Sequence, residues 1–131
     1  MTTARAEVLL VDDNADLREA LELLLELEGF KVIPAASGEE CLRLLESGRK
    51  PCVIVLDLLL PGGLSGIEVR ARLAAHAEWA GIPLVILSGV NKPPEVTAAE
   101  LGLPVDHVML KPGDVDALFA LVARYCRDQA A

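Results

Sequence analysis

The strongest constraint on this chain is a set of apolar runs without polar interruption, each ending on a polar residue. Val8–Val11, Val53–Leu56, Leu84–Leu87 and Val108–Leu110 are followed at once by Asp12–Asp13, Asp57, Ser88 and Lys111–Pro112. Unbroken Val/Ile/Leu runs mark strands buried on both faces, the condition of a parallel sheet covered by helices on either side. In an open sheet of that kind, ligands gather beyond the carboxyl ends of the strands. The residues that close the runs are therefore expected to converge on one crevice.

Amphipathic segments separate the runs. The pattern predicts strands over 7–12, 31–35, 52–57, 82–88 and 105–110, and helices over 14–28, 38–47, 65–77, 94–101 and 114–127. Such alternation implies right-handed βαβ crossovers and a sheet between two helical layers. In the first helix, Leu17, Ala20, Leu21, Leu24, Leu25 and Leu27 are read as one face and Arg18, Glu19, Glu22 and Glu26 as the other. Asn14 or Asp13 caps its start and Gly29 closes its end. The second strand contains Pro34, which cannot donate to the ladder and assigns that strand to an edge. Asp106 and His107 interrupt the fifth strand and assign it to the other edge. The expected fold class is α/β, a doubly wound five-stranded parallel sheet of order 2-1-3-4-5.

With 131 residues, the chain is expected to form a single domain over 1–131 with its core over 7–127, long enough to bury roughly two-thirds of its unfolded surface. The formal charge of −8 argues against direct contact with nucleic acid, whose phosphates demand a basic face. No stretch approaches the roughly 20 apolar residues of a membrane span, and Met1–Glu7 does not resemble a signal peptide. Cys41, Cys52 and Cys126 are odd in number and lack ligand spacing, so all three are read as ordinary reduced thiols in a cytoplasmic protein. The chain ends soon after its last helix, and the expectation is that any effector domain lies outside it. Met1 just before the first strand favours an amino-terminal position or a single-domain protein.

Three clustered carboxylates, Asp12, Asp13 and Asp57, repel one another unless a proton or cation intervenes. An oxygen-only set without His or Cys suits Mg²⁺, or Mn²⁺, rather than zinc. Asp57 is then placed to act as a nucleophile toward phosphorus, giving an aspartyl phosphate. Lys111 is expected to neutralise charge on the transferring group, and Ser88 to donate a hydrogen bond to it.

These motifs, VLLVDDN at 8–14, VIVLDLLLPGGLSGIEV at 53–69, IPLVILSG at 82–89 and VMLKP at 108–112, resemble those of the receiver domain of two-component response regulators. The resemblance spans Glu7 to Arg127. It implies the flavodoxin-like (βα)5 receiver fold, with Asp57 as phosphoacceptor and Asp13 and Asp57 as direct Mg²⁺ ligands. Asp12 would act mainly through water and the Leu59 backbone carbonyl would complete the protein ligands. Ser88 would be the switch hydroxyl, Lys111 the partner of the phosphoryl group, and Lys111–Pro112 a cis bond. The phosphoryl donor would be a sensor histidine kinase or a histidine phosphotransfer protein. The output would pass to an effector, or to self-association, through the fourth helix, fifth strand and fifth helix. Such a domain supports only its own phosphorylation and dephosphorylation and is not a metabolic enzyme.

Two features depart from the family pattern. Gly62-Gly63-Leu64-Ser65 is one residue longer than the common form, and Val108 stands where receivers usually carry Tyr or Phe. Valine has one dominant rotamer and no ring to swing. Val108 leaves room for a phosphorylation-independent interaction domain of the same fold. A Mg²⁺-dependent aspartyl-nucleophile phosphatase would usually carry an acid two residues after the nucleophile, where this chain has Leu59.

Overall fold

The structure is a computed structural model and describes residues 7–60, 62–89, 92–110 and 115–130. Five strands, β1 (Glu7–Val11), β2 (Lys31–Ala35), β3 (Val53–Asp57), β4 (Leu84–Ser88) and β5 (Val108–Leu110), alternate with five helices. These are α1 (Ala15–Leu27), α2 (Gly38–Glu46), α3 (Gly66–Ala75), α4 (Pro94–Leu101) and α5 (Val115–Ala130). The sheet is wholly parallel in the order β2-β1-β3-β4-β5, which is the expected fold class. Pro34 sits on edge strand β2, opposite Leu10.

Strand alternation divides the core into two layers. Val8, Leu10, Val53, Val55, Val85, Leu87 and Met109 pack against Leu21 and Leu25 of α1 and Leu118, Leu121 and Val122 of α5. Leu9, Val11, Ile54, Leu56, Ile86 and Val108 face α2, α3 and α4, where Leu45, Val69, Leu73, Ala98 and Leu101 receive them. The apolar runs are thus continuous because successive residues serve opposite helical layers.

Three sequence expectations need correction. The fifth strand is shorter than 105–110, because Val105–His107 form a 3-10 turn after Pro104 and β5 begins at Val108. The core stripe of α1 is narrower than predicted: Leu21 and Leu25 are buried, whereas Ala20, Leu24 and Leu27 are exposed. At about 100° per residue, Ala20 and Leu27 fall far round the helix from the Leu21–Leu25 line. The third concerns the cysteines. Cys52, just before β3, and Cys126, on α5, are joined in a disulfide across a Cα–Cα distance of 5.2 Å. Only Cys41 is a free thiol among the described residues; it lies in the α2 layer, and burial pushes its pKa up to about 12.

Local signals set the helix ends. Asn14 caps α1, its side chain accepting from the Leu17 N–H at 3.0 Å, and Gly29 follows with φ 96°. Such a left-handed conformation suits glycine. Ser65 and Glu68 form a reciprocal capping box at the start of α3, satisfying two of its open N–H groups.

Candidate functional site

The carboxyl ends of β1 and β3 bring Asp12, Asp13 and Asp57 together. Each offers a carboxylate oxygen, and these oxygens all lie within 4.8 Å of one another. Asp12 and Asp57 are almost fully buried, at 0% and 1% exposure, whereas Asp13 faces solvent. Two buried acids beside a third lower one another's tolerance for charge unless a cation offsets them. The donor set is all oxygen, without imidazole or thiolate, and so fits a hard divalent cation such as Mg²⁺ or Mn²⁺.

Backbone groups hold these acids in place. The Asn14 N–H donates to Asp12 Oδ1 at 2.8 Å, and the Asp12 N–H donates to the Ala35 carbonyl at 3.1 Å. Arg18, assigned from the sequence to the polar face of the first helix, folds back to donate to the Asp12 carbonyl at 2.7 Å. The Leu59 N–H donates to Asp57 Oδ1 at 3.0 Å, which fixes the carboxylate plane. Leu59 itself is half exposed, and a Cβ placed on Gly89 would meet its Cδ1 at 3.5 Å. Its side chain therefore spans from the β3 end toward the β4 end.

Ser88 is fully buried at the end of β4. Leu87 pairs with Asp57 in the sheet and Ser88 with Leu110, the residue before Lys111. Lys111, the proposed cis bond to Pro112, Pro61 and Val90 lie outside the described residues.

One supporting residue escaped the sequence reading. Glu39, at the start of α2, accepts the Leu64 N–H at 3.0 Å, so it braces the long β3–α3 loop from the side. That N–H is the main reason the Glu39 carboxyl is held below its ordinary pKa. A glutamate in the first turn of a helix is common and gave no signal of this contact. Gly66, which the sequence reading assigned to the turn into the third helix, is packed tightly: an added Cβ would lie 2.3 Å from the Asp57 carbonyl oxygen and 2.5 Å from Leu58 Cα. Helix α3 thus starts in direct backbone contact with the segment that carries Asp57.

At the far side of β5, His107 is buried and bridges two elements. Its Nδ1 lies 2.7 Å from Asp106 Oδ1 and its Nε2 lies 2.5 Å from the Tyr125 hydroxyl on α5. Val108 points the other way, into the α4 layer.

The class this fold defines is the doubly wound α/β domain with its crevice at the strand ends. Residues 8–123 match the family described as the response regulator receiver domain, and the chain belongs to that family. It is a receiver domain, consistent with two-component signalling. It is 38% identical over 105 residues to the transcriptional regulatory protein AfsQ1 of Streptomyces coelicolor, covering 80% of this chain and 44% of that protein. It is 36% identical over 124 residues to the DNA-binding response regulator MtrA of Mycobacterium tuberculosis, covering 93% and 51%. The chain thus spans about half the length of these curated relatives. A response regulator receiver protein from Pseudomonas putida superposes with a TM-score of 0.80 at 31% identity, covering 94% of this chain and 99% of the other.

Proposed function

We propose that this domain accepts a phosphoryl group from a phosphohistidine onto Asp57 and thereby changes which partner surface it favours. An Asp57 carboxylate oxygen attacks phosphorus, the P–N bond breaks, and its electron pair returns to the imidazole nitrogen of the donor. The donor is a sensor histidine kinase or a histidine phosphotransfer protein. Asp13, Asp57 and the Leu59 carbonyl would hold Mg²⁺ directly, and Asp12 would hold it through water. When bound, the cation offsets negative charge on the carboxylates and the incoming phosphoryl oxygens. Ser88 donates its hydroxyl to one phosphoryl oxygen and Lys111 pairs with another. The Leu59 N–H on Asp57 Oδ1 helps to hold the carboxylate that makes the attack.

The observation that carries this reading is the convergence of two buried aspartates and one exposed aspartate at the strand ends. The net charge of −8 argues against direct contact with a nucleic acid. Among the described residues, no helix is long and apolar enough to cross a membrane. We place the domain in the cytoplasm with its kinase, acting on an effector or a second copy. Exposed Val96 on α4, Val105, and Leu110 on β5 supply apolar area for that contact. Asp57→Asn should abolish acyl-phosphate formation from a small phosphodonor while keeping the fold, because the amide preserves shape and lacks the nucleophile. Wild-type phosphorylation of the variant, located by mass spectrometry, would overturn the assignment.

Val108 favours one other reading, a domain whose output ignores phosphate. Amide shifts around 88–97 on adding Mg²⁺ and beryllofluoride would exclude it, and their absence would support it.

A further inference from the structure

The carboxyl-terminal turns of α5 are anchored by three consecutive residues on three different elements. Tyr125 reaches His107 beside β5, Cys126 reaches Cys52 at the start of β3, and Arg127 donates to the Glu28 carbonyl at 3.0 Å with its guanidinium over Phe30. Only the middle anchor is covalent. It ties α5 to the strand that ends on Asp57, at the pole of the sheet away from the aspartates. Cys52 and Asp57 are separated by roughly 16 Å along the strand, at about 3.3 Å per residue.

We propose that Cys52 and Cys126 form a reversible redox strap, closed by exchange with an external disulfide and opened by thiols, that controls the freedom of α5. Three observations support it. The Cα–Cα distance of 5.2 Å falls within the range a disulfide spans without backbone movement. Cys41 cannot compete, since the sheet separates it from the pair and burial holds it as a thiol, its pKa raised to about 12. The open state is also provided for: the Glu7 carbonyl lies 3.2 Å from Cys52 Sγ, so a reduced thiol there has an acceptor in place.

A Cys126 thiolate attacks one sulfur of an external disulfide, forming a mixed disulfide and releasing one external thiolate. The Cys52 thiolate then attacks the Cys126 sulfur, and the second external thiolate leaves. Two electrons pass from the pair to the external disulfide, and the two cysteine protons pass to the released thiolates. Both sulfurs are buried, with exposures of 1% and 0%. Exchange therefore proceeds through local opening of the end of α5, the last helix of the structure.

The proposal rests on β3 and α5 alone and stands or falls independently of phosphoryl transfer at Asp57. The full chain is treated with oxidised glutathione, or with dithiothreitol, and compared in three ways. Mass spectrometry should find a cross-linked Cys52–Cys126 peptide in the oxidised sample alone, with Cys41 still alkylatable after unfolding. Amide exchange over 120–130 should be slower in the oxidised form by about tenfold or more. Cys41→Ala should keep this response, and Cys52→Ala with Cys126→Ala should lose it while keeping its circular dichroism. A stable glutathione adduct, a cross-link through Cys41, or equal α5 exchange in the two forms would overturn the strap. Beryllofluoride titration of both forms should give the same midpoint, and a failure to bind it in either form would count against Asp57 chemistry only.

Discussion

Replacing Gly66 with alanine tests how closely α3 is built onto the segment carrying Asp57. The added Cβ would lie 2.3 Å from the Asp57 carbonyl oxygen, 2.5 Å from Leu58 Cα and 3.0 Å from the Asp57 carbonyl carbon. All three are backbone atoms, so no side chain can rotate away. Ordinary contact begins near 3.4 Å, so α3 and the β3 end must separate by about 1 Å, the difference of 3.4 and 2.3. Overpacking of this kind costs about 1–3 kcal/mol. The same separation stretches the Gly66 N–H to Leu58 carbonyl bond, now 3.0 Å, and sacrifices about 0.5–1.5 kcal/mol more. Alanine recovers about 0.4–1 kcal/mol by restricting the unfolded chain.

The net loss is about 0.5–4 kcal/mol, a sizeable part of the 5–15 kcal/mol typical of a folded domain. At about 2.1 cal/mol/K per residue, a chain of this length loses Tm by roughly 2–15 °C. Urea unfolding followed by circular dichroism measures the free energy, and a thermal scan measures Tm. Gly81→Ala is the control, because nothing lies within 4 Å of a Cβ there and its φ is not positive. It should be neutral or slightly stabilising. If Gly66→Ala unfolds within about 0.5 kcal/mol of wild type, the range of an ordinary surface change, the close approach of α3 to β3 is wrong. Because Asp57 moves with its own carbonyl, the same variant should also phosphorylate poorly at temperatures where it remains folded.

Other perturbations address the surroundings of the site. The Glu39 carboxyl titrates below its ordinary value, so its contact with Leu64 contributes above the unfolded pKa and is lost as pH falls through the lower folded one. Protection of the Leu64 amide against exchange should therefore fall as pH drops below the ordinary glutamate range in wild type, while Glu39→Gln should flatten that dependence; an unchanged profile in the variant would disprove the brace. Tyr125→Phe removes the hydroxyl 2.5 Å from buried His107 Nε2 and should cost about 1–3 kcal/mol in urea unfolding, with a changed His107 ring signal by NMR; loss of stability without that change would refute the bridge. Leu59 and Val90, two beyond the proposed phosphoacceptor Asp57 and the proposed switch hydroxyl of Ser88, are both apolar and unable to orient a water. Leu59→Asn with Val90→Glu should speed loss of the aspartyl phosphate, and an equally fast wild type would refute the apolar gate.

The sheet order was legible because its signals are local. Pro34 excluded β2 from the interior, and the runs at 8–11, 53–56 and 84–87 required two helical layers around β1, β3 and β4. The acidic site was legible for a related reason. Its members sit at the ends of neighbouring parallel strands, so finding the strand ends also located the cluster. The 3-10 turn at Val105–His107 was hidden because Val105 and Val108 flank Asp106 and His107 with strand-like residues. The α1 stripe was overestimated because leucine repeats at 21, 23, 24, 25 and 27 are apolar on nearly every side.

Three pairings that stayed hidden lie at the opposite pole, and they share one property. Cys52 with Cys126, His107 with Tyr125, and Arg127 with Glu28 each join residues far apart in sequence, with separations of 74, 18 and 99. Each pairing depends on how α5 lies against the sheet, which the period of its apolar residues does not determine. The helix stripe Leu118, Leu121 and Val122 gives the face that α5 buries, but not its shift along the strands. A shift of one helical turn, about 5.4 Å, would leave the stripe buried and break all three contacts. These anchors therefore fix the position of α5 along the sheet, and the greasy stripe fixes only its rotation. A receiver that signals through α5 needs that position defined, and in this chain the definition rests on a hydrogen bond, a disulfide and an arginine.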